Sequence, residues 1–278
     1  MAELKQVTGT AFIVAEFRAD ESNEAEPLYR DEIVPLFLDA GTRKAAEDFS
    51  AGFPPVKELV KIRTRYLDDR LEAQLRQGFS QVVILGAGFD TRAVRKQTPG
   101  VTFFEIDDPA LLKLKKERLE ANHIDAAAKL IPGNYVSDDL TGMLESSGFD
   151  AALPTHFIWE GNTMYLSAGA VHHVMQTIEK HGKQFTLAFD YMAPEVIAKT
   201  TGDPAITKVV ERFAAMGAPW IFGIGNLAEF AAREGMAVVE DHKTASLYRA
   251  YRPGGTLDSP LFSYYSLCTV APARCLTR

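Results

Sequence analysis

From residue 81 onward, short strand-like runs alternate with helical ones, and this alternation constrains the fold more than any other feature of the chain. The runs QVVILG, VTFFEID, KLIPGNYV, THFIWEG and QFTLAFDYM are apolar and rich in β-branched and aromatic residues. Helical stretches separate them: around 90–97, from Pro109 to about Asn122, from Thr141 to Ser147 and from Ala168 to Lys180. Strand–helix–strand units close as a parallel sheet covered on both faces. The tail reads NLAEFAAREG, MAVVEDHK and LFSYYSLCTVAP, and its last two strands are separated by a loop rich in Pro and Gly. That loop predicts no helix and an antiparallel partner at the end of the sheet.

Residues 1–78 read as a helical extension. In VKELVKIRTRYLDDRLEAQLRQG, Leu59, Ile62, Tyr66, Leu67 and Leu71 recur at helical spacing, and Gly78 ends the run. The expected architecture is a single doubly wound α/β domain. It has a helical N-terminal extension (1–78), a cofactor-binding core (79–190), an inserted cap or substrate region (191–224) and a C-terminal part of the sheet (225–278).

Composition narrows the class. The 278 residues are 46% hydrophobic and carry a net charge of -7, which favours a small-molecule acceptor over nucleic acid. The one basic cluster, Lys113–Arg118, reads as a solvated helix face. No apolar run approaches the roughly 18–20 residues of a membrane span. The apolar patch Ala11–Ala15 has no cleavage site after it. With only Cys268 and Cys275, a disulfide framework is not expected, and the setting reads as cytoplasmic, without membrane contact. The histidines and cysteines lack the spacing of metal ligands.

The chemistry-bearing residues cluster at strand ends. Gly86, Ala87 and Gly88 close the first strand, where a bare turn lets a ligand approach the backbone. Asp107 ends the second strand, about 20 residues later, where an acid accepts from ribose hydroxyls. The dinucleotide pattern is incomplete, because Thr91 replaces its third glycine and Asp90 sits in the turn. A carboxylate there opposes a pyrophosphate, so the turn suits an unphosphorylated nucleoside such as S-adenosylmethionine. Asp138 and Asp139 follow the third strand, where an acid accepts from an adenine amino group or caps a helix. Glu160 ends the strand HFIWE, and an acid there points into the ligand crevice. Arg63, on the preceding helix, is either an exposed charge or a clamp for a ligand carboxylate.

Together, RTRYLDDRL (63–71), VVILGAGFDTRAVR (82–95), FFEID (103–107), DDL (138–140), FIWEGNTMYL (157–166) and PWIFGI (219–224) resemble the leucine carboxyl methyltransferase family. The likeness is to its bacterial branch of S-adenosylmethionine-dependent O-methyltransferases of polyketide and secondary metabolism. The resemblance implies a class I methyltransferase sheet of seven strands, the last antiparallel. It also implies roles: Arg63 on the methionine carboxylate, Gly86 against the methionine portion, Asp107 on the ribose, Asp139 and Leu140 at adenine, Glu160 near the amino group. Tyr165 then stands on the substrate side. Thr141 occupies the position of a family arginine that helps bind an acceptor carboxylate, with Arg92 and Arg95 as possible replacements.

Methyl transfer from a sulfonium needs alignment and exclusion of water more than acid–base chemistry. A carboxylate acceptor needs no base, a hydroxyl benefits from one, and the scarcity of bases leans toward a carboxylate. Tyr165 and Tyr191 stand at strand ends as candidate catalytic residues. His172 and His173 read as surface or packing residues, and His156 as lying at the far end of its strand. Met192, Met216, Trp220 and Phe222 are expected to line an apolar acceptor pocket. A cofactor-binding protein without methyl transfer, and an NAD-linked oxidoreductase, are the alternative readings.

Overall fold

Helices on both faces of the central strands bury every β1 side chain and leave a crevice at one end of the sheet. A computed structural model describes residues 2–51, 53–181 and 184–275, with the side chains of residues 2–9, 181 and 275 outside that description. The strands are β1 (Gln81–Leu85), β2 (Thr102–Asp107), β3 (Ala128–Pro132), β4 (Thr155–Trp159), β5 (Phe185–Met192), β6 (Met236–Lys243) and β7 (Tyr265–Pro272). They form one seven-stranded sheet in the order β3-β2-β1-β4-β5-β7-β6. Strands β1 to β5 pair in parallel, and β7 runs antiparallel to both β5 and β6. The expected sheet with its reversed last strand is therefore present.

Helices α1 (Ala2–Glu21), α2 (Ala40–Ala51) and α3 (Pro55–Arg76) precede the sheet. Helices α4 (Arg92–Arg95), α5 (Pro109–Ala121), α6 (Leu140–Ser146) and α7 (Ala168–His181) connect the parallel strands. Helices α8 (Pro194–Ile197) and α9 (Pro204–Ala215) follow β5, and α10 (Leu227–Arg233) leads into β6. The connection from β6 to β7 corrects the sequence reading. It contains α11 (Thr244–Tyr251) and α12 (Leu261–Tyr264), not a bare loop. Helix α11 buries Leu247 and Tyr248, a short amphipathic pattern that the Pro and Gly residues after it obscured.

Each sheet face has its own core. Val82 and Ile84 of β1 pack with Leu59, Ile62, Tyr66, Leu67 and Leu71 of α3, so the helical spacing read from sequence is the buried stripe. Val83 and Leu85 point the other way, into a cluster with Val171, Val174, Met175 and Ile178 of α7. Burying both faces explains why these strands read as continuous apolar runs. Lys115 corrects the view of the basic cluster as wholly solvated: it is 1% exposed and pairs with the buried Glu105 of β2. Lys113 and Lys116 stay on the solvent side of α5. Cys268 is buried, and the side chain of Cys275 lies outside the described residues. Among the described residues no helix is long and apolar enough to cross a membrane.

Candidate functional site

The sheet order reverses at β1, whose neighbours β2 and β4 lead away in opposite directions, and a crevice opens beyond the C-terminal ends of these strands. A cavity occupies that crevice. Arg63, Gly86, Ala87, Gly88, Asp107, Glu160 and Tyr165, all chosen from sequence, line it together.

The glycine turn is built by backbone that other residues adopt at a cost. Gly86 and Gly88 have φ of +65° and +49°, and a Cβ on Gly86 would meet the Asn162 amide at 2.7 Å. Asp107 reaches under this turn. One of its oxygens accepts from Gly88 N and the other from Asp108 N, each at 2.6 Å. Burial raises the Asp107 pKa, and the two backbone N–H groups oppose that rise.

At the β4 end, Glu160 stands between two guanidinium groups. Its Oε1 accepts from Arg63 Nε at 2.9 Å and its Oε2 from Arg92 Nη1 at 2.7 Å. Burial alone would favour the neutral acid, but Arg92 and then Arg63 outweigh it and bring the pKa down to about 2. Arg63 also donates to the Tyr265 hydroxyl at 2.9 Å, and that hydroxyl donates to Asp190. Asp190 accepts from Gly161 N at 2.6 Å. Gly161 is required where it stands: its φ is +67°, and a Cβ there would lie 2.9 Å from Arg63 Nη1.

Behind this first layer runs a buried ladder of charges. Arg92, fully buried, binds Asp68 at 2.7 Å and also Asp90. Arg95 binds Asp68 at 2.8 Å. Thr91 accepts from Arg18 and Arg95 and donates to Asp31. Arg18 of α1 binds Asp31 and donates to Phe89 O at 2.9 Å, tying the N-terminal helix to the turn after β1.

These contacts correct several expectations. Arg92 and Arg95 do not stand free to replace the arginine lost at Thr141, because Asp68, Asp90 and Glu160 engage them. Asp90 does carry a carboxylate at the turn, but its pairing with Arg92 reduces the charge it presents. Tyr191 lies on the opposite sheet face from Asp190, as alternation along a strand requires, and donates to Asp241 at 3.0 Å. Asp139 is exposed and caps α6 by accepting from Gly142 N at 3.1 Å; neither it nor Leu140 lines the cavity. Leu111 and Tyr135 do line it. Met192 and Trp220 line the cavity as expected, whereas Met216 is 37% exposed and Phe222 packs on Phe230. His156 is buried against Thr186, its pKa held down at about 3 by burial and Arg92, and His172 pairs with Glu234 at the surface.

Asn162, Asp190, Tyr265 and Arg18 escaped the sequence reading. Asn162 alone had a local signal, directly after the Glu-Gly pair. Asp190 stands one position before the chosen Tyr191, and Tyr265 and Arg18 come from elements far away in the chain.

A family model described as leucine carboxyl methyltransferase matches residues 11–179, more than half of the chain. A Streptomyces avermitilis protein assigned by name as an S-adenosyl-L-methionine-dependent methyltransferase is 31% identical, over 91% of this chain and 95% of its own. A Mycobacteroides abscessus protein with the same assignment is 34% identical over 62% of each chain. The chain spans less than two thirds of that relative and of two others, at 66% and 64%, from Mycolicibacterium smegmatis and Frankia alni. Among solved structures, a Thermobifida fusca protein titled as a methyltransferase superposes with a TM-score of 0.61 at 18% identity, covering 86% of this chain and 93% of that one. The fold, the glycine turn with its acids, and the span of the match lead to one assignment: this chain belongs to the leucine carboxyl methyltransferase family.

Proposed function

We propose that the chain is an S-adenosylmethionine-dependent methyltransferase acting on an oxygen of a small, largely apolar molecule. One observation carries the reading: Asp107, the Gly86–Gly88 turn, Glu160 and Arg63 line a single cavity at the ends of β2, β1 and β4.

The donor set suits this cofactor. A carboxylate offers about four acceptor sites, and the backbone N–H bonds occupy two on Asp107, leaving the others for ribose hydroxyls. Glu160 is ionised far below neutral pH and keeps acceptor capacity for an ammonium group. Arg63 uses Nε and Nη1 in its hydrogen bonds, which leaves donors for a carboxylate. Leu111 and Tyr135, in place of Asp139 and Leu140, would flank the adenine. When bound, S-adenosylmethionine supplies an electrophilic methyl group on a sulfonium. The chain's part is to hold the acceptor in line, exclude water with the helices over the crevice, and keep Glu160 charged beside the cationic donor.

Replacing Asp107 by Ala tests the ribose assignment. Affinity for S-adenosylhomocysteine is expected to fall at least tenfold, on the order of 1.4 kcal/mol. Unchanged affinity in a folded variant would remove it. Turnover across an acceptor panel separates an enzyme from a protein that only binds the cofactor.

A further inference from the structure

The far half of the cavity is walled by elements outside the sheet: Phe49 of α2, Val56 and Leu59 of α3, Phe213 of α9, and Trp220 beyond it. The Phe213 and Trp220 rings lie 4.6 Å apart at 32°, and Phe49 meets Phe213 edge-on at 5.2 Å. Arg212 fixes this spacing. It donates to Asp48 O and Phe49 O, both at 2.7 Å, at the C-terminal end of α2, with its guanidinium 4.5 Å from the centre of the Phe49 ring.

Two polar groups interrupt the apolar wall. Trp220 Nε1 is buried beside the Tyr165 hydroxyl, and it makes no well-aligned hydrogen bond there. Burial, opposed by that indole, raises the Tyr165 pKa, so the hydroxyl stays protonated. A buried donor without a well-made hydrogen bond is unfavourable, and a ligand oxygen placed between it and the Tyr165 hydroxyl relieves that. Among the described lining residues the two cations are already engaged: Arg18 pairs with Asp31, and Arg63 pairs with Glu160 and has its remaining donors assigned above to the methyl donor's carboxylate. An acceptor carboxylate would find no side-chain counter-charge here and would have only the donor's own sulfonium to oppose it.

We propose that the acceptor is an uncharged, planar aromatic molecule bearing a hydroxyl group. Its ring lies against Phe49, Phe213 and Trp220, and its oxygen is held by Trp220 Nε1 and the Tyr165 hydroxyl. This rests on the methyl-donor reading above and replaces the carboxylate acceptor favoured by the sequence. The acceptor oxygen bonds to the methyl carbon as the carbon–sulfur bond breaks. The released pair stays on sulfur and cancels its charge, and the hydroxyl proton passes through the Tyr165 hydroxyl to bulk solvent.

The test is calorimetric titration of the chain saturated with S-adenosylhomocysteine, at pH 7, with 2-naphthol and separately with 2-naphthoate. The naphthol is expected to bind at least tenfold tighter. Trp220→Phe keeps a ring and removes the N–H; it should weaken naphthol binding threefold or more and leave S-adenosylhomocysteine affinity unchanged. Naphthoate binding as tightly or more tightly, no binding of either, or indifference to Trp220→Phe would overturn the proposal. The wild-type comparison stands even if the variant does not fold. Failure to bind S-adenosylhomocysteine at all would instead sink the methyl-donor reading, and this inference with it.

Discussion

Arg92 holds part of the site in place from behind the cavity, without lining it. It contacts Asp68, Asp90 and Glu160 from a fully buried position, so its loss strands buried carboxylates. Arg92→Ala is expected to destabilise the fold by about 3–5 kcal/mol, read from denaturant unfolding. A loss below about 1 kcal/mol would show that Arg63 and Arg95 suffice. Protonation follows from the same contacts. The Glu160 pKa is depressed from its ordinary 4.5 to about 2, so its stabilising share is complete above the ordinary value and lost as pH falls through the lower one. Glu105 has the opposite sign: burial, opposed by Lys115, raises it to about 7, so the folded state holds the extra proton and stability declines as pH rises from 4.5 toward 7. Glu105→Gln should therefore make the change in Tm between pH 5 and 7 shallower than in the wild type; an unchanged slope would contradict this. Asp107 and Glu160 were legible in the sequence because residue type and strand-end position together specify a task, whereas Arg63, inside α3, stood out only through the motif around it. Tyr265 was not, since it meets Arg63 across 202 residues and no local pattern encodes that. Tyr191 misled by one position: the strand end was right, but Asp190 and Met192 face the site and Tyr191 faces away.

Among the elements, the strands and the long helices were readable because burial on one or both faces leaves a period in the sequence. Helix α3 shows it in Leu59 through Leu71, and β5 shows it as an unbroken buried run. Helix α11 was missed because eight residues carry little periodicity and the next stretch is rich in turn formers. Helix α9 matters most to the proposed acceptor site. Asp203 caps it by accepting from Ala205 N at 2.7 Å, and Arg212 anchors its far end to α2. Asp203→Ala is expected to cost about 1 kcal/mol of stability, measured by denaturant titration. Arg212→Ala should weaken naphthol binding while S-adenosylhomocysteine affinity stays level, because Arg212 fixes the aromatic wall and touches nothing near Asp107. A parallel fall in both affinities would show that the two halves of the cavity are not separable.

For the molecule as a whole, the sheet supplies the strand ends that suit a nucleoside, and the added helices close the space beyond them. The order of the strands fixes where the crevice opens, and the ladder from Arg18 to Glu160 ties the N-terminal helix to it. The family's sheet was legible from alternation and motifs. The proposed acceptor chamber was legible only at Tyr165, Met192 and Trp220, because its other walls come from α2, α3 and α9, whose apolar residues read only as packing. The central claim is that this crevice seats S-adenosylmethionine and not a dinucleotide. Calorimetric titration of the wild-type chain with S-adenosylhomocysteine, and separately with NAD, tests it most directly. Saturable one-site binding of S-adenosylhomocysteine with no binding of NAD is the expected result; binding of NAD alone would contradict the account.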